Sequence, residues 1–228
     1  MVEIHIVSGS GIKRVEMTLI KIIKTFLGAW LFRRYARVVH GLQFRLAGPE
    51  DMDALYRFRF AVYTAEGYVK PEHYLDQRFS DRYDSQSVSV LTLKNGRIIG
   101  CGRATHHSDL GLPVQQFFSI QWPAGIELQS VVEMGRFMVE RQHRGKARLA
   151  TLGMSLQLSQ YVKGDPTAQY LVAFMSEKVR KAFYDIVPFE RLDENPPSEE
   201  QLEARTLRQG YWDKGEIHPV MAAASRLL

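Results

Sequence analysis

Glu133 and Arg136 are the side chains whose types and spacing first suggest chemistry, because they interrupt the apolar run VVEMGRFMV. A carboxylate can accept a proton from an ammonium group, and an arginine can orient that group or hold an acidic neighbour. In a regular strand the two side chains would point to opposite faces. We therefore predict a bulge at Gly135, which would bring them to one side. A structural ion pair lining a cleft is the alternative.

Positive charge collects around one glycine directly after this run, in the segment RQHRGKAR. A loop that leads into a helix presents unpaired backbone N–H groups and the positive end of the helix dipole, which together favour phosphate binding. Gly145 lets the backbone approach such an anion, and Arg144 and Lys146 can add charge-assisted contacts. Solvated surface charge is the alternative.

Arg103 and Arg59 form a second candidate group with nearby carboxylates. Arg103 shares its predicted strand face with Ile99 and Cys101, so a guanidinium buried there needs an anionic partner. A substrate carboxylate can serve as that partner. The segment YLDQRFSDRYD offers three others, namely Asp76, Asp81 and Asp84. For Arg59, in a predicted helix, a solvated arginine is the alternative.

The predicted elements that must position these residues alternate between strand and helix. LQFRLA has the alternation of a strand, and the segment after GPED has apolar residues at helical spacing. Two β-branched runs around Asn95-Gly96 predict a hairpin. The strand SVVEMGRFMVE, a helix from RGKARLATLG, the strand AQYLVAFMS and the helix EKVRKAFYDIV follow. The order predicts an α/β, or layered α+β, fold with helices on both faces of a mixed sheet.

The bulk composition is that of one soluble globular protein. The chain has 228 residues, 45% of them apolar and 24% charged. The single Cys101 excludes an intrachain disulfide and favours a reducing, cytoplasmic environment. The basic character is N-terminal, since residues 1–47 carry a balance of +6 and residues 48–228 one of −1. Such an arm suits an acidic partner or an anionic lipid surface.

We divide the chain into three parts: a basic amphipathic helical arm over 1–40, the catalytic-type domain over 41–192, and a C-terminal helical extension over 193–228 packed on that domain. Only eight residues between Lys24 and Arg33 lack charge, too few to span a bilayer. The apolar stripe changes face at Gly28, which indicates two short amphipathic segments. Packing on the domain, membrane contact through residues 13–39 and partner docking all remain open.

The segment QHRGKA matches the Gln/Arg-x-x-Gly-x-Gly/Ala signature of the GNAT acyltransferase superfamily, in the strand–loop–helix setting of that fold. The resemblance implies a mostly antiparallel GNAT-like sheet whose fourth and fifth strands splay to admit a thioester. It also implies that the loop holds the phosphate of an acyl-phosphopantetheine co-substrate, with no permanently bound cofactor. The residues implied at the phosphate are Val139, Gln142, Arg144, Gly145, Lys146 and Ala147.

The motifs RFAVY, YLDQRFSDRYD, GCGRA and VVEMGRF together resemble the GNAT branch of autoinducer (acyl-homoserine lactone) synthases and N-acyl amino acid synthases. These enzymes move an acyl chain from acyl carrier protein to an amine. Autoinducer synthases usually have Glu-x-Asp-x-Phe-Asp and a tryptophan where this chain has DQRFSDRYD and Tyr68, which argues against an S-adenosylmethionine site. We therefore expect an amino acid as acceptor, bound by Arg103, Arg59 and the aspartates, with Glu133 and Arg136 as catalytic residues.

Three other functions remain as alternatives: an acyl-homoserine lactone synthase that uses S-adenosylmethionine, a coenzyme A-dependent N-acetyltransferase, and a non-catalytic module that binds acyl carrier or membrane. An acyl chain needs an apolar tunnel, and the candidates for its wall are Phe117, Phe118, Phe137, Met138 and Phe174, unless they are ordinary core residues. The histidines lack metal-ligand spacing, so no metal site is expected. The aromatics of the arm alternate with aliphatics, which does not indicate nucleic-acid binding.

Overall fold

A computed structural model describes residues 28–183, 189–206 and 216–223. The chain divides into two compact units, Met1–Gly41 and Leu42–Leu228. In the first unit, residues 28–40 form helix α1. The predicted amphipathic segment before Gly28, and with it the change of face, lies outside the described residues. None of the helices in the described ranges is both long and apolar enough to cross a membrane.

The second unit contains nine strands and four helices among the described residues. The strands are β1 Leu42–Leu46, β2 Ser87–Lys94, β3 Arg97–His106, β4 Ser119–Ile120, β5 Val131–Val139, β6 Tyr170–Ser176, β7 Glu190–Arg191, β8 Glu194–Asn195 and β9 Ile217–Ala223. The helices are α2 Met52–Ala65, α3 Ala147–Lys163, α4 Glu177–Phe183 and α5 Glu199–Thr206. A 3-10 helix over Arg141–Lys146 leads from β5 into α3.

Seven strands form one sheet in the order β1-β2-β3-β5-β6-β9-β7. Every neighbouring pair is antiparallel except β5 and β6, which are parallel. The predicted mixed, mostly antiparallel sheet is therefore confirmed. The hairpin turn is also where it was predicted, since Asn95 and Gly96 both have positive φ, as the tight turn between β2 and β3 requires.

Helices α2 and α3 cover opposite faces of the sheet. Val90 packs in the core cluster that contains Met154 and Leu158 of α3, whereas Leu91 packs in the cluster that contains Leu55 of α2. Successive strand residues point to opposite faces, so the two clusters lie on either side of the sheet. This arrangement confirms helices on both faces.

β5 contains the predicted bulge, displaced by one residue. Cys101 pairs with Met138 and Arg103 with Gly135, so Arg136 and Phe137 stand opposite the single residue Gly102. Arg136, with φ +53°, takes the left-handed conformation within the bulge. The extra residue shifts the alternation of β5, which is why Glu133 and Arg136 face the same side.

The pairing between β5 and β6 is short. Val131–Glu133 pairs with Tyr170–Val172, and beyond that point neither strand bonds to the other. The remaining halves of β5 and β6 diverge and leave a gap in the sheet. This is the splay of the fourth and fifth major strands that the GNAT resemblance implied.

The predicted helical extension over 193–228 is only partly correct. Helix α5 forms and begins with a capping box, in which the Ser198 and Gln201 side chains each accept the other residue's backbone N–H. The later segment, however, contains strand β9, which pairs with all of β6. Pro219 weakens the strand pattern of this segment, yet antiparallel pairing with β6 and burial of Val220 hold it in the sheet.

Candidate active site

A cavity of about 600 Å³ occupies the gap between β5 and β6. Its wall includes Tyr63 and Phe79 on the α2 side of the sheet, and Thr151 and Ser155 of α3 on the other side. Because β5 and β6 separate here, the cavity reaches both faces of the sheet. A donor and an acceptor can thus enter from different faces and meet at the gap.

A cluster of buried charges lies against the α2-side wall of this cavity. Three arginines share two aspartates through the following contacts: Arg59 Nη1 to Asp84 Oδ1 at 2.7 Å, Arg103 Nη1 to Asp81 Oδ1 at 2.7 Å and to Asp84 Oδ1 at 3.0 Å, and Arg136 Nη2 to Asp81 Oδ2. Arg59 also donates to Ser89 Oγ at 2.9 Å. Of the predicted substrate-binding residues, Arg103 and Asp81 line the cavity, whereas Arg59 and Asp84 do not, although both have largely buried side chains.

The cluster has one more positive than negative charge when both aspartates are ionised. Burial alone would raise the pKa of Asp81, but the charges of Arg136 and Arg103 outweigh it and hold that pKa well below its usual range. Asp81 therefore stays ionised at neutral pH. The excess positive charge favours an anionic group in the adjoining cavity.

Asp76 does not belong to this cluster. Its side chain is exposed, and its Oδ1 accepts the backbone N–H of Arg78 at 3.1 Å, as in a local Asx turn. The sequence prediction placed it with Asp81 and Asp84 because all three lie in one acidic segment. The chain turns between them, and only the latter two reach the arginines.

Arg136 is held by two aromatic rings and a hydroxyl. Its guanidinium lies 4.8 Å from the ring centroid of Phe79 and 5.6 Å from that of Tyr63, and its Nη1 donates to the Tyr63 hydroxyl at 2.8 Å. Its buried Nε has no hydrogen-bond partner among the described residues. Arg136 therefore retains one buried donor that makes no hydrogen bond with the described residues.

Glu133 is the buried carboxyl group of the cavity, with 3% of its surface exposed. Burial raises its pKa from 4.5 to about 7, although the Val114 N–H, which donates to Oε2 at 2.7 Å, and the charges of Arg103 and Arg136 oppose this rise. Both protonation states are thus populated near neutral pH. Such a group is suited to accept and return a proton.

The predicted phosphate-binding residues divide into two sets. Val139, Arg144 and Ala147 line the cavity, whereas Gln142 lines a neighbouring surface groove. Gly145 and Lys146 belong to the same 3-10 segment but do not line the cavity. Arg144 forms an ion pair with Glu66, which follows α2, so the loop is tied across the cavity to that helix.

The predicted acyl-chain residues also divide. Phe117, Phe137, Met138 and Phe174 line the cavity, as an apolar tunnel requires. Phe118 does not, because it packs behind Phe174 in the adjacent core cluster, with a ring separation of 5.9 Å.

Several wall residues were not predicted. Tyr63 and Phe79 hold Arg136, and Thr151 and Ser155 face the cavity from α3. The spacing of Ala147, Thr151 and Ser155 places three small residues on one helix face, a signal that was present in the sequence. The position of Tyr63 depends on tertiary packing. In the described part of the chain, no group of three or more histidine, cysteine, aspartate or glutamate residues is arranged to hold a metal ion.

Known structures share this fold at low sequence identity. The acyl-homoserine lactone synthase BjaI, in complex with SAM and isopentyl-CoA, is 16% identical over 81% of this chain and 84% of its own, with a TM-score of 0.53. The AHL synthase LasI is 16% identical over 80% and 90%, with a TM-score of 0.52. FeeM, an N-acyl amino acid synthase from uncultured soil microbes, is 15% identical over 82% and 95%, with a TM-score of 0.50. No curated protein sequence matches the chain.

A sequence model of one family matches the chain directly. The description of that family is N-acyl amino acid synthase FeeM, and the match covers residues 54–206, about two thirds of the chain. These residues contain the charge cluster, the bulge, Glu133 and the loop before α3. The resemblance stated from the motifs is thereby confirmed: the chain belongs to the FeeM family of N-acyl amino acid synthases.

Proposed function

We propose that this acyltransferase moves a long acyl chain from acyl carrier protein to the amine of an amino acid and so makes an N-acyl amino acid. The observation that carries the proposal is the position of Glu133. It is a buried carboxyl group with a pKa of about 7, in a cavity that opens through the sheet beside an excess of positive charge. Family membership supports the same reaction class.

The reaction begins with the ammonium group of the acceptor. Glu133 in its carboxylate form takes one proton and leaves a neutral amine. The amine nitrogen attacks the thioester carbon, the C–N bond forms, and the C–S bond breaks. The second proton lost by the nitrogen goes to the leaving thiolate, so the products are an amide and a free thiol.

The charge cluster supports an acceptor that carries a carboxylate. The cluster has one positive charge in excess, and Arg136 Nε is an unused donor beside the cavity. A carboxylate bonded there would hold the amine near Glu133. An amino acid has both groups on one carbon.

The basic residues around the loop support acyl carrier protein as the donor. Acyl carrier proteins are acidic, and cationic side chains gather where the phosphate of the donor would bind. These side chains are Arg141, Arg144, Lys146 and Arg148. Coenzyme A presents the same phosphopantetheine arm and is the competing donor.

Mass spectrometry of lipid extracts tests the proposed reaction. A host that expresses the chain should accumulate N-acyl amino acids, and a host that expresses Glu133→Gln should not. Asp76→Asn is the control, because Asp76 is exposed and outside the charge cluster. Equal N-acyl amine profiles with and without the chain would contradict the proposal, and consumption of S-adenosylmethionine would favour the lactone synthase instead.

Helix α1 supports a peripheral contact with an anionic membrane. Ala29 and Ala36 are buried on one side of the helix, whereas large apolar side chains remain exposed on the other. The exposed set is Trp30, Leu31, Tyr35, Val38 and Val39, interspersed with the exposed cations Arg34 and Arg37. Exposed apolar and cationic side chains on one helix are typical of interfacial binding, and the N-acyl product is itself an amphiphile.

Vesicle sedimentation tests this contact. The protein should sediment with vesicles that contain phosphatidylglycerol and much less with phosphatidylcholine alone. Trp30→Ala combined with Val38→Ala should weaken the binding. Leu75→Ala, an exposed apolar residue of the other unit, should not weaken it. Equal sedimentation of the two variants would contradict the proposed membrane contact. Binding to an acidic protein but not to vesicles would indicate instead that α1 docks on a protein partner.

A further inference from the structure

Ser155 is a buried hydroxyl group in the cavity that no step of the proposed reaction uses. It lies on the face of α3 that also carries Ala147 and Thr151, four residues apart along the helix. Only 2% of its surface is exposed, and its Oγ has no hydrogen-bond partner among the described residues. Ser155 therefore lines the cavity and carries a buried hydroxyl group that makes no hydrogen bond with the described residues.

Stability alone does not account for a serine at this position. A buried hydroxyl without a partner costs free energy, and serine is a poorer helix former than alanine. An alanine would fill the same part of α3 at a lower cost. The hydroxyl is explained if a ligand supplies its partner when the cavity is filled.

The surroundings of Ser155 indicate what that ligand is. Met134, Ala173 and Phe189 line the cavity and belong to the apolar core cluster that contains Met154 and Leu158 of α3, so a single hydroxyl on this side would orient a mostly apolar ligand. Ser155 lies eight residues, about 12 Å, along α3 from Ala147, where the loop and the helix meet. A donor whose phosphate is held at the loop would extend its arm past this point.

We propose that Ser155 Oγ is a hydrogen-bonding subsite for an oxygen atom of the acyl donor. The oxygen belongs either to an amide of the pantetheine arm or to an oxygenated acyl chain, such as a hydroxyacyl group. This inference rests on the proposed use of an acyl-phosphopantetheine donor. It adds a point of donor recognition on α3, separate from the phosphate loop and from Glu133.

Binding of unreactive donor analogues to Ser155→Ala tests the subsite. Dodecyl-coenzyme A and 3-hydroxydodecyl-coenzyme A, both thioethers, carry the phosphopantetheine arm without a reactive thioester. The full-length variant should bind at least one of them about tenfold more weakly by calorimetry, the loss of roughly one hydrogen bond. Its unfolding temperature without ligand should be no lower than that of the wild type. Ser159→Ala, equally buried on α3 but outside the cavity, should bind both analogues like the wild type.

The two analogues distinguish the sources of the oxygen. An equal loss for both assigns the hydroxyl to the pantetheine amide, and a loss for the hydroxylated analogue alone assigns it to the acyl chain. Unchanged affinity of Ser155→Ala for both would overturn the subsite even if the enzyme makes N-acyl amino acids. Weaker binding by Ser155→Ala in a protein that makes no amide would support the subsite and overturn the proposed function. A wild-type protein that binds neither analogue would overturn the subsite, because both analogues carry the phosphopantetheine arm, and would leave the proposed reaction to the test of Glu133→Gln.

Discussion

Burial and neighbouring charges act on Glu133 in opposite directions, and burial dominates. Its carboxyl group lies within reach of the fields of Arg103 and Arg136, yet its pKa is raised to about 7. Asp81, which bonds two arginines directly, has its pKa lowered instead. The difference is that Asp81 contacts Arg103 and Arg136 directly, so their charges outweigh its burial, whereas for Glu133 burial is the larger effect.

Activity should therefore depend on the ionisation of Glu133. The rate of amide formation should rise with pH through about 7, because the carboxylate is the form that accepts a proton. Glu133→Gln should lower the rate by about 10²- to 10⁴-fold and remove this limb of the profile. Initial rates from pH 5 to 9 check both effects. If Glu133→Gln kept the same rise in rate with pH, the titrating group would be one other than Glu133.

The same carboxyl group should affect stability with the opposite dependence on pH. Between pH 4.5 and about 7 the unfolded chain has released this proton while the folded chain holds it, so the wild type loses stability as pH rises through this window. The loss is at most about 3 kcal/mol. Glu133→Gln should not show this pH-dependent loss of stability. The free energy of unfolding of the variant, relative to that of the wild type, should therefore increase from pH 5 to pH 8. Urea titrations at several pH values check this, and parallel curves would contradict it.

The stability that the buried charge cluster gives to the fold should depend on the Asp81 carboxylate. Asp81→Asn would leave Arg103 and Arg136 buried without one of their counter-charges, and we expect a loss of about 3–5 kcal/mol. Asp76→Asn, in the same segment but exposed, should change stability by less than about 0.5 kcal/mol. Chemical denaturation of the two variants compares them. Similar losses of unfolding free energy for the two variants would mean that the charge cluster does not stabilise the fold.

At the scale of elements, two irregularities of β5 create the site. The bulge at Arg136 and Phe137 turns Arg136 toward Glu133, and the early end of the pairing with β6 opens the cavity beside them. The bulge lies beside a close approach of β5 to β3. A Cβ atom on Gly100 of β3 would stand 2.9 Å from the Met138 carbonyl oxygen, so only glycine permits this approach.

Gly100→Ala and Gly145→Ala form a matched pair at this scale. Gly100→Ala should push β3 and β5 apart and cost about 1–3 kcal/mol, with a loss of activity as the bulge moves. At Gly145 an added Cβ meets no atom within 4 Å, and the φ of that residue is not positive. Gly145→Ala should therefore leave stability unchanged but raise the KM for the donor, if the loop approaches the phosphate. An unchanged KM would remove Gly145 from the phosphate site.

At the scale of the whole molecule, the charge distribution bears on the choice of donor. Residues 1–47 carry a balance of +6, and more cations surround the loop before α3. If an acidic carrier docks on the cations around the loop before α3, kcat/KM with acyl carrier protein should fall several-fold between low and physiological salt, and less with acyl-coenzyme A. Steady-state rates at several salt concentrations check this. Equal salt dependence for the two donors would indicate that docking is not electrostatic.

The local pattern of the sequence determined the hairpin at Asn95-Gly96, the strands and helices around the loop, and the presence of a bulge beside Glu133. These features depend on turn chemistry and on the alternation of neighbouring residues, which a single segment contains. The tertiary structure decided that Arg136 rather than Gly135 takes the left-handed conformation, that Asp76 lies outside the cluster, and that β9 joins the sheet beside β6. Each of these depends on pairing or ion contacts between segments far apart in the chain, where long-range burial outweighs local propensity.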